Sequence, residues 1–229
     1  MIFVSQDIVI YCRSGSGPDL TLHGKLRFTT HALTATQTLS ATQSTLGFIA
    51  GKTALIGATA IVADFNGTLF SSLTIDTAKN STASVALSAA IIKGDTRIQT
   101  HDTFGLAATI STQNITFQGA LTILGGIGAT TVKINQTEIT KTLTIALKDG
   151  TNSFLIEQEN LPGSSRFHSD VKLTGGIDVD TFTLGGTGND HIEFLATVIA
   201  NGKAGTDVLT EGQATTHPTG LTTLQVHIP

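Results

Sequence analysis

The sequence predicts an all-β protein, a right-handed parallel β-solenoid (β-helix) with about three short strands in each coil of roughly 24 residues. Three observations lead to this fold class. Short segments rich in Thr, Val and Ile alternate inward apolar residues with polar ones, glycine-rich turns separate them, and the pattern recurs along the chain. Because three strands fill each repeat, no room is left for the crossover helices of a βαβ sheet.

The repeat is clearest between Phe117 and Gln158, where "ALTILGGIGATTVKI" is followed by "TLTIALKDGTNSFLI". Each repeat supplies one apolar position on each of three successive strands. Stacking the repeats predicts three inward series. They are Ile75, Ile98, Ile123, Ile145, Leu173 and Val198; Val85, Ile110, Val132, Phe154, Phe182 and Val208; and Ile92, Phe117, Ile139, Phe167 and Phe194.

The pattern predicts a single solenoid domain over residues 1–212, irregular around residues 34–53, followed by a terminal strand or cap over residues 213–229. A solenoid ends in open strand edges, which must be capped or paired. We therefore expect the terminal strands, in "MIFVSQDIVIY" and "LTTLQVHIP", either to cap the stack or to pair with a second copy. The second outcome predicts a homo-oligomer or filament.

Composition argues against several classes of partner. Charged residues make up 13% of the chain and the net charge is −4, without a cluster of Lys and Arg to match a phosphate backbone. No apolar run approaches the ~18 residues that a membrane helix needs. Cys12 is the single cysteine, so no internal disulfide is possible. We expect no nucleic-acid partner and no membrane span.

One turn, "GGTGNDHIE" from Gly185 to Glu193, fits the calcium-binding nonapeptide pattern of β-roll proteins. The related turns depart from it, since "GGIDVDTFT" and "GKAGTDVLT" each lack one of its glycines. A structural glycine turn is therefore the favoured interpretation, and a calcium site is the alternative. If calcium binds, its candidate ligands are the carboxylates of Asp178, Asp180, Asp190 and Asp207.

The sequence offers no catalytic constellation. Its acidic residues do not form the inward pair that a glycosidase needs, and its seven histidines lack the spacing of a zinc site. We therefore predict no catalytic residues, no enzyme activity, and no cofactor apart from the calcium alternative.

The repeated strand and turn units, together with "DVKLTGGIDVDTFTLGGTGNDHIEF", resemble the β-strand-repeat surface proteins of planctomycetes and some other bacteria. The likeness covers about residues 66–210, and the glycine turns more distantly resemble the calcium-binding turns of RTX proteins. The resemblance implies an exported, cell-surface or matrix protein that works as a scaffold, adhesin or fibre, with occasional calcium-stabilised turns.

These features favour an extracellular or cell-surface structural protein, a non-catalytic subunit of a self-assembling filament, appendage or surface layer. The alternative is a carbohydrate-binding adhesin, or a polysaccharide-active enzyme on the same fold, with a surface glycan as partner. Many β-solenoids carry such activities, so the fold alone does not separate the two hypotheses.

Overall fold

The computed structural model describes residues 26–29, 36–40, 48–58, 60–77, 79, 82–158, 163–186, 191–212, 215–216 and 221–224. These residues form parallel β-strands and turns, which confirms the predicted all-β solenoid. Within these ranges no helix is long and apolar enough to cross a membrane. The strands are β1 Leu26–Thr29, β2 Thr36–Ser40, β3 Phe48–Ala58, β4 Ala60–Thr77, β5 Ala83–Ile92, β6 Thr96–Gln99, β7 Ala107–Phe117, β8 Leu121–Leu124, β9 Ala129–Ile139, β10 Leu143–Ala146, β11 Ser153–Ile156, β12 Ser164–Phe167, β13 Val171–Thr174, β14 Thr181–Leu184, β15 His191–Phe194, β16 Val198–Asn201, β17 Val208–Glu211, β18 Thr215–Thr216 and β19 Leu221–Leu224.

The strands stack on three faces. On the first face the pairing order is β1, β3, β4, β6, β8, β10, β13, β16 and β19. The second face contains β2, β11, β14 and β17, and the third face contains β12, β15 and β18. The long strands β4, β5, β7 and β9 each continue from the second face to the third. We call the turn between the first and second faces the first corner. The second corner lies between the second and third faces, and the third corner leads into the next coil.

Apolar side chains of all three faces meet in one continuous core. Buried residues alternate with outward ones along the strands, as in Leu121–Leu124, because successive side chains of a strand point to opposite faces. Phe154 stacks on Phe182 with ring centroids 4.4 Å apart, and Phe167 stacks on Phe194 at 5.0 Å. Each coil thus depends on its neighbours for burial of its apolar residues.

The register confirms the predicted third series in full and corrects the other two at their last member. Leu173 pairs with Ala200, so the prediction of Val198 was displaced by two residues. Phe182 pairs with Leu209, so the prediction of Val208 was displaced by one. Both shifts arise in one coil. Its inward position on the first face holds the small Ala200, and on its second face the apolar Val208 and Leu209 are adjacent. Hydrophobicity alone therefore does not determine the register of this coil.

The length of a coil varies more than the length of the third corner. Ile145 follows its partner Ile123 by 22 positions, whereas Leu173 follows Ile145 by 28. In β4 the inward residues of the third and first faces, Phe70 and Ile75, are five positions apart, with a register shift against β3. From Ile92 onward the inward residue of the third face is six positions before the inward residue of the next first-face strand. The pairs are Ile92 and Ile98, Phe117 and Ile123, Ile139 and Ile145, Phe167 and Leu173, and Phe194 and Ala200.

A single left-handed residue makes the second corner in β5, β7 and β9. Ala89, Asn114 and Gln136 are in equivalent positions, and their φ angles are 54°, 53° and 48°. Glu157 and Gly185 also have positive φ, one register position earlier. Because L-residues other than Asn, Asp and Gly rarely adopt this region, the fold imposes this bend against local preference.

Candidate functional site: a buried polar ladder at the first corner

A column of inward residues at the first corner becomes steadily more polar along the chain. Its members occupy equivalent positions at the start of the second face, and all of them are buried. The strand register and the main-chain contacts between coils give their order. They are Ala83, Ala108, Thr130, Asn152, Asp180 and Asp207.

The polar members of the column, which we call the ladder, are connected coil to coil by hydrogen bonds. The Thr130 N–H donates to Asn152 Oδ1 at 3.1 Å. Asn152 donates from its main-chain N and from Nδ2 to Asp180 Oδ1, at 3.1 and 2.9 Å. The Asp180 N–H donates to Asp207 Oδ1 at 2.7 Å. The side chains of Asn152, Asp180 and Asp207 therefore each satisfy a buried main-chain N–H of the preceding coil, which would otherwise cost free energy.

The glycines at the start of the turns before Asp180 and Asp207 are explained by the carboxylates. Asp180 Oδ2 accepts the Gly176 N–H at 2.8 Å and lies directly over Gly175, where an added Cβ would be 1.8 Å from it. Asp207 Oδ2 lies over Gly202 in the same way, at 2.1 Å. In these turns glycine is required because a buried carboxylate occupies the space of a side chain, whether or not an ion is bound.

A further buried carboxylate at the first corner, that of Asp102, was not predicted from the sequence. It accepts hydrogen bonds from the Thr100 hydroxyl at 2.7 Å, from the N–H groups of Gly126 and Gly128 at 3.1 Å each, and from the Thr130 hydroxyl at 3.4 Å. Three of the four donors belong to the next coil. The available signal was "THD" lying one coil before "GGIG", a pairing that requires the register to be known.

The last described rung of the ladder is incomplete. Asp207 is 2% exposed, and among the described residues its Oδ2 has no hydrogen-bond partner. In the equivalent turn one coil earlier the donor is the N–H of Gly176, but here the Lys203 N–H donates to Asn201 Oδ1 at 2.9 Å. Burial raises the pKa of Asp207. Burial also raises the pKa of Asp180, and its effect is larger than the opposing effect of the hydrogen bonds from Asn152 and Gly176.

The predicted calcium ligands are only partly brought together. Asp180 and Asp207 are adjacent rungs of the ladder. Asp178 is exposed on the same corner, where its Oδ2 accepts the Gly150 N–H at 2.8 Å. Asp190 lies outside the described residues. The three described carboxylates face N–H donors, and in the described part of the chain no group of three His, Cys, Asp or Glu residues is arranged to hold a metal ion.

Calcium binding at these turns therefore stays the alternative hypothesis. We expect none at the ladder itself, because both carboxylate oxygens of Asp180 and one of Asp207 already accept N–H groups, whereas calcium takes six to eight oxygen ligands. Melting of the protein in excess calcium and in chelator should then give the same transition temperature. A transition raised by calcium and lowered by chelator would contradict this expectation. Asp178→Asn and Asp207→Asn would then identify the turn that binds the ion.

We predict that Asp207→Asn stabilises the protein at neutral pH. Asn152 shows how an amide fits this position, since its Nδ2 donates to the Lys148 carbonyl four residues earlier at 2.9 Å. The amide introduced by the substitution would find the Lys203 carbonyl at the same offset, and no charge would be buried. Thermal unfolding at neutral pH, monitored by circular dichroism, measures the effect, with the exposed Asp149→Asn as the matched control.

The same variant tests a pH dependence. Burial raises the pKa of Asp180 and Asp207 above the ordinary 3.8, so the folded state retains protons that the unfolded chain releases. The two carboxyl groups therefore stabilise the folded state at pH values below 3.8, and this contribution is lost as the pH rises through their folded-state pKa values. The stability gained from Asp207→Asn should therefore shrink as the pH falls from neutrality toward 4. A gain that is constant over this range would show that Asp207 does not titrate there.

A further buried polar network lies at the second corner. Glu157 Oε2 accepts the Gln136 N–H at 2.8 Å and the Ser165 hydroxyl at 2.6 Å, and Ser165 Oγ accepts the Thr137 N–H at 3.0 Å. The Thr137 hydroxyl donates to the carbonyl of Asn135 at 2.8 Å. Sequence reasoning missed this network, because it interpreted polar residues between apolar ones as outward. Like the ladder, it binds coil to coil.

The outward side of the third face carries a row of opposite charges. Arg166 pairs in register with Glu138 and Glu193, and its Nε is 2.5 Å from Glu193 Oε2. The hydrogen bond with Glu193 raises the pKa of Arg166, and the same bond lowers the pKa of Glu193. His168 Nε2 lies 2.8 Å from Glu138 Oε1. These exposed pairs fix side chains on the surface and contribute little to stability.

The described carboxylates of both corners thus serve as acceptors for main-chain and hydroxyl groups of neighbouring coils, an arrangement that holds the stack together.

Comparison of the chain with protein-family models, with curated proteins and with solved structures finds no match.

Proposed function

We propose that the protein is a non-catalytic structural subunit that assembles end to end into a filament, appendage or surface layer outside the cell. The observation that supports this most directly is the one-sided pairing of strands at both ends of the described stack. Among the described residues, β1 and β2 pair only with β3 and β4, and β17, β18 and β19 pair only with β14, β15 and β16. An extracellular or cell-surface location follows from the resemblance of the repeats to bacterial surface proteins.

The parallel arrangement makes the two ends complementary. All strand pairs are parallel within the described residues, so one end of the stack differs from the other and a head-to-tail contact continues the same ladders. Such a heterologous contact does not close on itself and generates an open filament. Strand addition at an exposed edge is a common way for chains to join, with main-chain hydrogen bonds supplying much of the affinity.

The orientation of the main chain identifies the groups involved. On the first face, the N–H of Leu143 donates to the carbonyl of Asp170, and the N–H of Val171 donates to that of Thr197, each in the following coil. Leu221 is the equivalent residue of β19, and Thr223 repeats its orientation two residues later. Their N–H groups are therefore directed away from β16, toward the end of the described stack.

Thr223→Pro tests the proposal, because it removes one of these outward N–H groups without breaking a bond to β16. Proline is tolerated in an edge strand when its missing N–H faces outward. We expect the wild-type protein to form rods that lengthen with concentration in negative-stain micrographs, and the variant to sediment as a monomer. The exposed Thr222→Ala, which keeps every N–H, is the control and should assemble normally.

Two outcomes would contradict end-to-end assembly. Wild-type protein that sediments as a uniform monomer at all concentrations would exclude self-association through either end. Filaments that form equally well from the Thr223→Pro variant would exclude this edge of β19 as the contact.

A further inference from the structure

A groove runs along the outside of the first corner. Its volume is about 360 Å³, within the range of small-molecule sites. Its lining is largely apolar and includes several glycines and alanines. The side chains that give it its character are Phe104, Leu106, Ile127, Thr151 and Asp178.

The groove crosses the strands instead of following them. Phe104, Ile127, Gly150 and Asp178 come from the first corners of four successive coils, so the groove extends over three strand spacings, about 14 Å. The main chain on either side of it is already paired in the parallel ladders. A peptide therefore finds no free sheet edge in this groove, and strand addition is not available there.

The groove carries the most exposed of the large apolar side chains for which burial is described, that of Phe104. Phe104 is 87% exposed and Ile127 is 42% exposed, whereas the other six Phe side chains whose burial is described are in the core. An aromatic ring exposed at a tight turn, beside a concave surface, is available to pack against a ligand. Gly105, with φ of 80°, makes the turn that presents it.

The polar end of the groove is anchored. The Asp178 carboxylate accepts the Gly150 N–H through Oδ2 at 2.8 Å, which fixes its orientation and leaves its remaining lone pairs toward solvent. Asp178 is the charged residue among those that line the groove. A negatively charged ligand is therefore disfavoured, and hydroxyl or amino groups are favoured as hydrogen-bond donors to this carboxylate.

From these features we propose that the groove binds a neutral or amino-bearing glycan along the solenoid axis. The apolar face of one sugar ring packs on Phe104, and hydroxyl or amino groups of a ring about three strand spacings away donate to Asp178. The ligand class combines what the groove offers, an aromatic ring at one end and an oriented acceptor at the other. This site is separate from the strand edges that carry the proposed assembly.

Saturation-transfer NMR and calorimetry with three probes test the proposal. The probes are a neutral glucose hexasaccharide, an amino-sugar hexasaccharide and a uronic-acid hexasaccharide, each used with the full chain. We expect binding of the neutral or the amino-sugar probe, or of both, and none of the uronic-acid probe, which Asp178 repels. Binding of none of the three at millimolar concentration would overturn the proposal, and so would preferential binding of the uronic-acid probe.

Two variants assign the binding to this groove. Phe104→Ala and Asp178→Asn should each weaken it at least tenfold, and both should fold normally, because Phe104 is exposed and an asparagine oxygen can still accept the Gly150 N–H. Leu195→Ala and Asp149→Asn, which remove an exposed apolar and an exposed acidic residue elsewhere, are the matched controls and should bind like wild type. Equal affinity in all four variants would overturn the assignment. Conversion of a dimer to a monomer by Phe104→Ala would show that a second copy covers the groove, which also overturns it.

Discussion

Replacing Ile145 by aspartate is expected to unfold several coils of the solenoid. Ile145 is fully buried and lies in register between Ile123 and Leu173, so a carboxylate there would have no polar partner. Burying such a group costs several kcal/mol, and loss of one coil removes the burial of its neighbours. Urea unfolding followed by circular dichroism should show a much lower midpoint, or no folded baseline. Ile123→Asp should behave alike.

The neighbouring outward residues provide the controls. Thr122 and Thr144 lie between the inward residues of β8 and β10, where their side chains are only partly buried. Thr122→Ala and Thr144→Ala should each lower the free energy of unfolding by about 0.5 kcal/mol or less. Equal stability of the aspartate and alanine variants would refute the inward register of the first face.

The second large effect is expected from Asp102→Ala. This change leaves the N–H groups of Gly126 and Gly128 without their acceptor inside the first corner. Each buried donor left unsatisfied costs about 1–3 kcal/mol, so the loss should amount to about 2–6 kcal/mol. Hydrogen exchange at these two glycines should accelerate together with the fall in the unfolding midpoint.

Asp102→Asn separates the charge from the shape. Its amide oxygen can replace one carboxylate oxygen, but its NH₂ group must face an N–H donor. We therefore expect an intermediate loss of stability. The exposed Asp149→Ala is the control and should be close to neutral. If Asp102→Ala unfolds at the wild-type midpoint, Asp102 does not connect the two coils.

Much of the fold could be predicted because the core is made of large residues at a regular spacing. The third series was correct throughout, since Ile and Phe mark its positions in every coil. The register was wrong where Ala200 takes the position paired with Leu173, because Val198, two residues earlier, also points inward and is the larger apolar residue. The left-handed residues at the second corner carry no signal either, since Ala89 and Gln136 have no preference for that conformation.

The sequence predicted some residues of the candidate site but not how they are arranged in space. Glycine-rich turns followed by aspartate pointed to Asp180 and Asp207, which do occupy adjacent rungs. A pattern of residue types does not reveal whether a carboxylate faces a cation or the N–H groups of the preceding coil. That distinction depends on contacts between residues 24 to 28 positions apart, as for Asp102 with Gly126 and Asn152 with Asp180. The groove depends in the same way on four coils being aligned.

From Ile92 onward the third corner keeps one length, which divides this part of the chain into segments that tolerate changes of length differently. The first and second corners differ in length between coils, so inserted residues there are expected to form a longer surface loop without disturbing the core. One residue inserted between Phe117 and Ile123 would instead turn the next strand over, exposing its apolar side chains and burying its threonines. New segments, such as an epitope or a binding loop, are therefore best grafted at the first two corners, and whole coils are best duplicated from one third corner to the next.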